Sequence, residues 1–353
     1  MWKVSNEENK EYLDAFRTKL IDPMFKEIIN YKILNLKCSY FEYLKRNEQT
    51  ICKDNNKLLL YISNRSFKKI RFRELLHDFI DTNDINKINY YYKLYNTQNE
   101  EINNGNYNIL EIEIDENLKN VFVEFFYNKF FNDEKIWTMI MNSEESIKYT
   151  KIKFHEIFKR ENKLYICPYC DLDTINGVSN KEIEHFLPKS KYPFLTMNAN
   201  NLISSCITCN KPTEGKGTKI YTPIISPYNK GIGNEIEYKN NFMKREIILQ
   251  TGDKEISNYL KTLNLVERYK KTEIFDLVEE RAEIIYDTLI QAELNGEEIN
   301  EEILKEYMLQ KRKILRSEIL SFAVNGAFSN LDLYNLYKDR KKYWIYLRVV
   351  GKK

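Results

Sequence analysis

Cys167-Pro-Tyr-Cys170 and Cys206-Ile-Thr-Cys209 put four of the chain's six cysteines into two CxxC pairs with 35 residues between them. A CxxC turn can aim two thiolates at one centre, and two such turns complete the tetrahedral S4 set that structural Zn²⁺ prefers. A single pair would equally suit a redox motif, but the doubled spacing points to metal. Glu184-His185 and Asn201 lie between the pairs, and Asn210 directly follows the last cysteine. Imidazole can take a proton near neutral pH, and carboxylate and amide oxygens suit a hard divalent cation. Cys38 and Cys52 fall in a helical region without ligand spacing and read as ordinary thiols.

Three weaker motifs fail on their own chemistry. "DLDTINGVSNKE" has acids at calcium-loop positions 1, 3 and 12 but Asn176 where the loop needs glycine. "TEGKGT" lacks the earlier glycine of a phosphate loop, and "HEIFK" at His155 lacks the second histidine of a zinc protease. His77 and His155 sit in helical patterns and read as ordinary histidines.

The elements around these residues follow from local pattern. "EIEHFLPKSKYPF" alternates apolar and polar residues up to Glu184-His185, which predicts a strand, and Pro188 and Pro193 then force an irregular loop. "LISSCITCN" predicts a turn into a helix at the second cysteine pair. The metal would tie the start of a strand to the start of a helix and fix Asn210 in place. Neighbouring residues on a regular strand face opposite sides, so Glu184 and His185 can address one ligand only if the strand ends or bulges there, and we expect that it does.

Apolar spacings of three and four predict helices from Asn6 to about Tyr95 and in "NLKNVFVEFFYNKFFNDEKIWTMIM" and "IKFHEIFKRENK". Polar Asn96–Asn108 reads as a loop, and "EIEYKNNFMKREIIL" as two short strands around Asn240–Asn241. Ile274, Leu277, Val278, Ile285 and Leu289 mark an amphipathic helix. The expected fold is mainly α, with helical N- and C-terminal regions flanking a small zinc-stapled ββα core. Its parts would be a helical domain over 1–150, the zinc-bearing core over 151–230, and a short β-hairpin plus helical region over 231–353.

A chain of 353 residues, 42% hydrophobic and 30% charged with seven prolines and ten glycines, is globular and large enough for two or three domains. It holds no apolar run of the roughly 20 residues that cross a membrane, and its first residues lack a signal peptide's apolar core. The expected setting is cytosolic, where clustered cysteines favour metal over disulfides. Net charge is only +3, but Lys311–Lys353 carries eleven basic residues against three acids, and Lys181–Lys230 seven against three. Either run suits phosphate, although a basic tail alone is more often solvated surface. The aromatic content of 14%, at helical spacing, reads as core ahead of base-stacking platforms.

Glu184-His185, Asn201 sixteen residues after the histidine, and Cys206-x-x-Cys209-Asn210 together resemble the ββα-metal core of HNH endonucleases, in its zinc-stapled branch, over about residues 165–220. The flanking "NKLYICPYCD", "EHFLPKSKYPFL" and "YLKTLNLVERY" are similar to HNH proteins of bacterial anti-phage systems, including the Septu type. The resemblance implies phosphodiester hydrolysis, expected on DNA. His185 would be the general base, and Glu184 and Asn210 would hold Mg²⁺ or Mn²⁺. Asn201 would brace the loop behind the histidine, and Cys167, Cys170, Cys206 and Cys209 would hold structural Zn²⁺. Lys189, Lys191, Lys211 and Lys216 are candidates for phosphate contact. Glutamate stands where aspartate is commoner in the family, and the lysine that follows the Cys-Asn pair in many relatives has several candidates here. The helical 1–150 block exceeds what such a core needs and would suit a regulatory partner such as a sensor ATPase. The competing expectation is a non-catalytic zinc module that binds nucleic acid or a protein.

Overall fold

Apolar residues at helical spacing close most of the chain into helices, and the few strands are short antiparallel pairs. The computed structural model describes residues 1–46, 53–177, 180–304, 306–307, 315–329 and 333–350, so Cys52 and part of the basic tail lie outside the described residues. In chain order the helices are α1 (Glu7–Phe16), α2 (Asp22–Leu34), α3 (Tyr40–Arg46), α4 (Lys53–Ser63), α5 (Phe72–Thr82), α6 (Ile85–Asn103) and α7 (Glu116–Asn120). A wide-turned π-helix, Val121–Lys129, continues α7, and α8 (Glu134–Met141) and α9 (Lys151–Asn162) follow. Buried Phe122, Phe125, Phe126 and Phe130 give this half an aromatic core.

β1 (Ser66–Phe67) and β2 (Ile70–Arg71) form a minimal hairpin between helices. β3 (Lys181–His185) and β4 (Leu202–Cys206) pair antiparallel and lead into α10 (Ile207–Asn210). β5 (Glu237–Asn241) and β6 (Glu246–Gln250) form the third pair. The turn there spans 242–245, with Arg245 at positive φ, so Asn240 and Asn241 belong to the strand instead of marking the turn. α11 (Lys254–Thr262), α12 (Leu265–Tyr269) and α13 (Thr272–Leu294) follow, then helices Ser321–Ser329 and Leu333–Val350. On α13 Val278 and Leu289 are buried while Leu277 stays exposed. Arg340 and Lys341 of the last helix pair with Glu283 and Glu293 of α13, which gives two of the tail's cations partners within the chain.

Two further sequence expectations need correction. The polar run 96–108 is not all loop, because α6 continues to Asn103. Two of its amides bond to protein: Asn198 donates to the Oδ1 atoms of buried Asn99 (2.9 Å) and exposed Asn103 (3.3 Å), and Asn99 donates to the carbonyl of Phe194 (3.2 Å). Buried amides with partners are compatible with a helix interior, and here they hold the loop that precedes β4. Cys38, expected within a helix, lies in the connection between α2 and α3, where its carbonyl accepts from Tyr31.

One contiguous set of buried apolar residues runs from Met1 to Tyr337 across the boundaries expected near 150 and 230. The first residues thread through it: Trp2 N–H donates to the carbonyl of Pro168 (3.0 Å) and Val4 N–H to that of Pro227 (3.0 Å). Asn6, ahead of α1, donates to the carbonyls of Ala199 (2.8 Å) and Leu202.

Candidate functional site

The four clustered cysteines converge. Cys167, Cys170, Cys206 and Cys209 are buried, with all four sulfurs within 4.8 Å of one another. The Cys167–Cys209 and Cys170–Cys206 separations are 3.8 Å, far beyond a disulfide bond. A tetrahedron with Zn–S bonds of about 2.3 Å has edges of about 3.8 Å, so size and donor chemistry both fit Zn²⁺. Cys206 N–H points at Cys167 Sγ (3.3 Å), Leu172 N–H at Cys170 Sγ (3.4 Å) and Arg268 Nη1 at Cys209 Sγ (3.2 Å). Four thiolates around one Zn²⁺ leave two negative charges, and the buried guanidinium of Arg268 offsets one of them. The hydroxyls of Tyr259 and Tyr269 donate to the carbonyls of Tyr169 (3.0 Å) and Cys170 (2.8 Å), so α11 and α12 hold the first cysteine turn.

β3 runs in unbroken register with β4, from Lys181↔Cys206 to His185↔Leu202, and ends at His185 without a bulge. Residues 186–201 cross to β4, and Asn201 braces that crossing from within. Its Oδ1 accepts from Leu187 N–H (2.7 Å), its Nδ2 donates to the carbonyls of Leu187 (3.1 Å) and Leu195 (3.2 Å), and its own carbonyl accepts from Phe186 N–H (2.8 Å). The buried ring of His185 packs edge-on to Tyr127 at 4.4 Å, with Nε2 3.2 Å from the carbonyl of Thr196. A carbonyl only accepts, so Nε2 carries the proton and Nδ1 is the basic nitrogen. Burial, joined by the ammonium of Lys189, holds this imidazole well below its ordinary value, so it is neutral at physiological pH.

Strand alternation sends Glu182 and Glu184 to the face opposite His185, so ending β3 at His185 does not by itself turn the two residues to one side, as the sequence reading expected. Glu184 is ion-paired with Lys216, the two side chains being 6% and 1% exposed. Burial pushes the Glu184 carboxyl up, and Lys216 opposes that shift. Asn210, at the end of α10, donates its amide to Glu182 and not to Glu184. The oxygens of Glu182, Glu184 and Asn210 suit a hard cation in type, but Glu184 already carries the ammonium of Lys216 as its counter-ion.

The four phosphate-contact candidates have different surroundings. Lys216 is buried, Lys191 pairs with Glu111 (2.9 Å), Lys211 is exposed, and Lys189 leans over the Tyr127 ring at 4.6 Å. Sequence reasoning passed over Glu182, which period-two alternation would have placed on the face of Glu184. It also passed over Tyr127, Lys151 and Lys181, which carry no motif. His155, read as ordinary, is buried on α9 with Nδ1 2.7 Å from Ser204 Oγ of β4, and burial pushes it down to about 3. His77 is exposed on α5 beside Asp81 (3.1 Å).

No protein-family model matches the chain. No solved structure matches it either. Among curated proteins, it is 37% identical over 78 residues to Septu protein PtuB of Bacillus thuringiensis, covering 22% of this chain and 30% of that protein. It is 27% identical over 150 residues to Septu protein PtuB of Bacillus mycoides, covering 34% of this chain and 47% of that one. The matched stretches span less than half the length of either relative, so the chain is similar to part of a Septu PtuB protein.

Proposed function

We propose that the chain is a metal-dependent endonuclease of the HNH type, acting on DNA. One observation carries the reading most: a neutral histidine ends β3 with Nε2–H committed to a backbone carbonyl and Nδ1 left as a base, on a strand pair that leads into a helix seated on a four-cysteine site. In this reading His185 Nδ1 takes a proton from the attacking water, and Asn201 holds the loop that orients the ring. Glu184 and Asn210, with Glu182 beside Asn210, would hold Mg²⁺ or Mn²⁺, which when bound neutralises charge at phosphorus and at the departing oxygen. The part-length similarity to Septu protein PtuB supports a place in anti-phage defence, as the effector nuclease. The helical region over 1–150 would then dock a regulatory partner, such as a sensor ATPase.

The Glu184–Lys216 pair favours a second reading, a zinc module that binds nucleic acid or a protein without cutting. One assay separates them. Purified protein is incubated with plasmid, linear DNA and RNA across Mg²⁺, Mn²⁺ and Ca²⁺, beside His185→Ala. The nuclease reading expects cutting of DNA with Mg²⁺ or Mn²⁺ that the variant loses at unchanged fold. Equal cutting by both removes His185 from the chemistry, and salt-sensitive binding with no cleavage under any ion selects the second reading.

A further inference from the structure

Between the π-helix, the start of α9 and the edge of β3 lies a cleft of about 390 Å³. Three lysines from three parts of the chain line it: Lys151 on α9, Lys181 on β3 and Lys189 on the loop after β3. All three are half-buried. Among the described residues none of them is held in an ion pair, whereas nearby Lys68, Lys191 and Lys216 are paired with Glu124, Glu111 and Glu184. Lys151 and Lys189 share one support, lying 3.9 and 4.6 Å from the centroid of the Tyr127 ring. That ring is pinned by its hydroxyl, which donates to the carbonyl of Ile183 (3.0 Å).

Glu182, Glu156 and Glu124 act on these lysines only from a distance, and cations brought together without a paired carboxylate repel one another and invite an anion. Burial, then the charge of Lys189, lowers Lys151 from 10.5 to about 8. Burial likewise lowers Lys181 and Lys189. The one carboxylate on the cleft wall, Glu182, is engaged by the amide of Asn210. His155, also on the wall, is neutral and bonded to Ser204.

We propose that this cleft is a binding site for the backbone phosphates of a nucleic-acid strand, with Lys151, Lys181 and Lys189 as its cations. The inference deepens the nuclease reading, from which it takes nucleic acid as the ligand, and says where the strand lies relative to Asn210 and β3. It also fixes the kind of recognition. Two ammonium groups and His185 crowd the Tyr127 ring, which leaves it no open surface for a base. The cleft reads phosphate and tolerates any sequence.

The test uses the full chain without added divalent cation and a labelled mixed-sequence 20-mer, single- and double-stranded, read by fluorescence anisotropy at several salt concentrations. Lys151→Gln/Lys181→Gln is compared with Lys219→Gln/Lys244→Gln, which removes two exposed lysines away from the cleft. The cleft pair should weaken binding on the order of tenfold or more and cut the log–log salt slope by about 1.5, with the control pair near wild type. Equal losses in both double variants, or none in the cleft pair with an unchanged melting curve, overturn the proposal. A free phosphate ion is the other source of this chemistry. Inorganic phosphate that binds tightly and that the 20-mer cannot displace would also overturn it. The nuclease reading fails separately: no cleavage by wild type, with binding lost in the cleft variant, removes the reaction and leaves the site. Cleavage with unchanged KM and binding in that variant removes the site and leaves the reaction.

Discussion

The ammonium of Lys216 is paired with the carboxylate of Glu184, and both side chains are shut away from water. The backbone brings them together. Lys216 N–H donates to the carbonyl of Cys209 (2.8 Å), so the loop lies directly on the second cysteine turn. At Gly215 a Cβ would come within 2.2 Å of that same carbonyl oxygen, which leaves room only for glycine. A buried charge that loses its partner is costly. Lys216→Met should therefore destabilise the protein by about 3–5 kcal/mol, and adding Glu184→Gln should recover most of the loss. Urea denaturation of the three proteins checks this. A single variant as stable as wild type would show that the pair contributes nothing to the fold.

Cys206→Ser should remove zinc. Bound metal should fall from one per chain to near none, and stability should drop by about 3 kcal/mol or more, because binding at such a site is part of folding. Metal analysis alongside thermal unfolding reads both, and a folded, zinc-free variant of wild-type stability would refute the clamp.

Arg268→Gln keeps the four sulfurs but removes the guanidinium beside Cys209. Zinc affinity should fall about 10- to 100-fold, as is usual when a partner of a metal ligand is lost. Competition with a chromogenic chelator measures it, and the Co²⁺-substituted protein should keep its tetrahedral thiolate spectrum. Unchanged metal release would reduce Arg268 to packing.

Lys151 gives the cleft a pH signature. Tyr127 and Lys189 face it, with Lys181, Glu182 and His155 on the same wall. With its value lowered to about 8, its charge is complete well below that pH and lost above it. Oligonucleotide binding should therefore weaken as pH rises from 7 to 9. Lys151→Arg, which stays charged throughout, should flatten the profile. A wild-type profile as flat as the variant's would exclude Lys151 as a contact.

Asn201→Ala strips partners from the N–H of Leu187 and the carbonyls of Leu187 and Leu195, all in a buried crossing. The expected cost is about 2–4 kcal/mol. If the residue positions His185 as proposed, cleavage at a temperature where the variant is fully folded should fall in kcat more than in KM. An equal change in both would limit Asn201 to stability.

Much of the four-cysteine site was legible from spacing alone. Two CxxC pairs dictate that each turn presents two sulfurs, whatever surrounds them. Period-two alternation up to His185 and the two prolines after it likewise predict β3 and the irregular crossing, since each depends on neighbours within a few residues. The turn after Asn241 was misplaced because Asn is a common turn residue, yet here Asn240 and Asn241 extend the strand and the chain reverses at 242–245.

Tertiary structure decided the rest, because it rests on pairs far apart in the chain. No local pattern separates an exposed lysine from Lys216, which is buried only because the loop after α10 folds back over Glu184. The polar stretch from Asn96 reads as solvent-facing until Asn198 and Phe194, almost a hundred residues on, supply its hydrogen bonds. Lys151, Lys181 and Lys189 belong to no motif and meet only because Tyr127 docks on β3. By itself the sequence determined which atoms can bind a metal such as zinc and that a strand ends at His185. Packing determined which charges those residues meet, since an ion pair or a cleft depends on distances that chain spacing does not set.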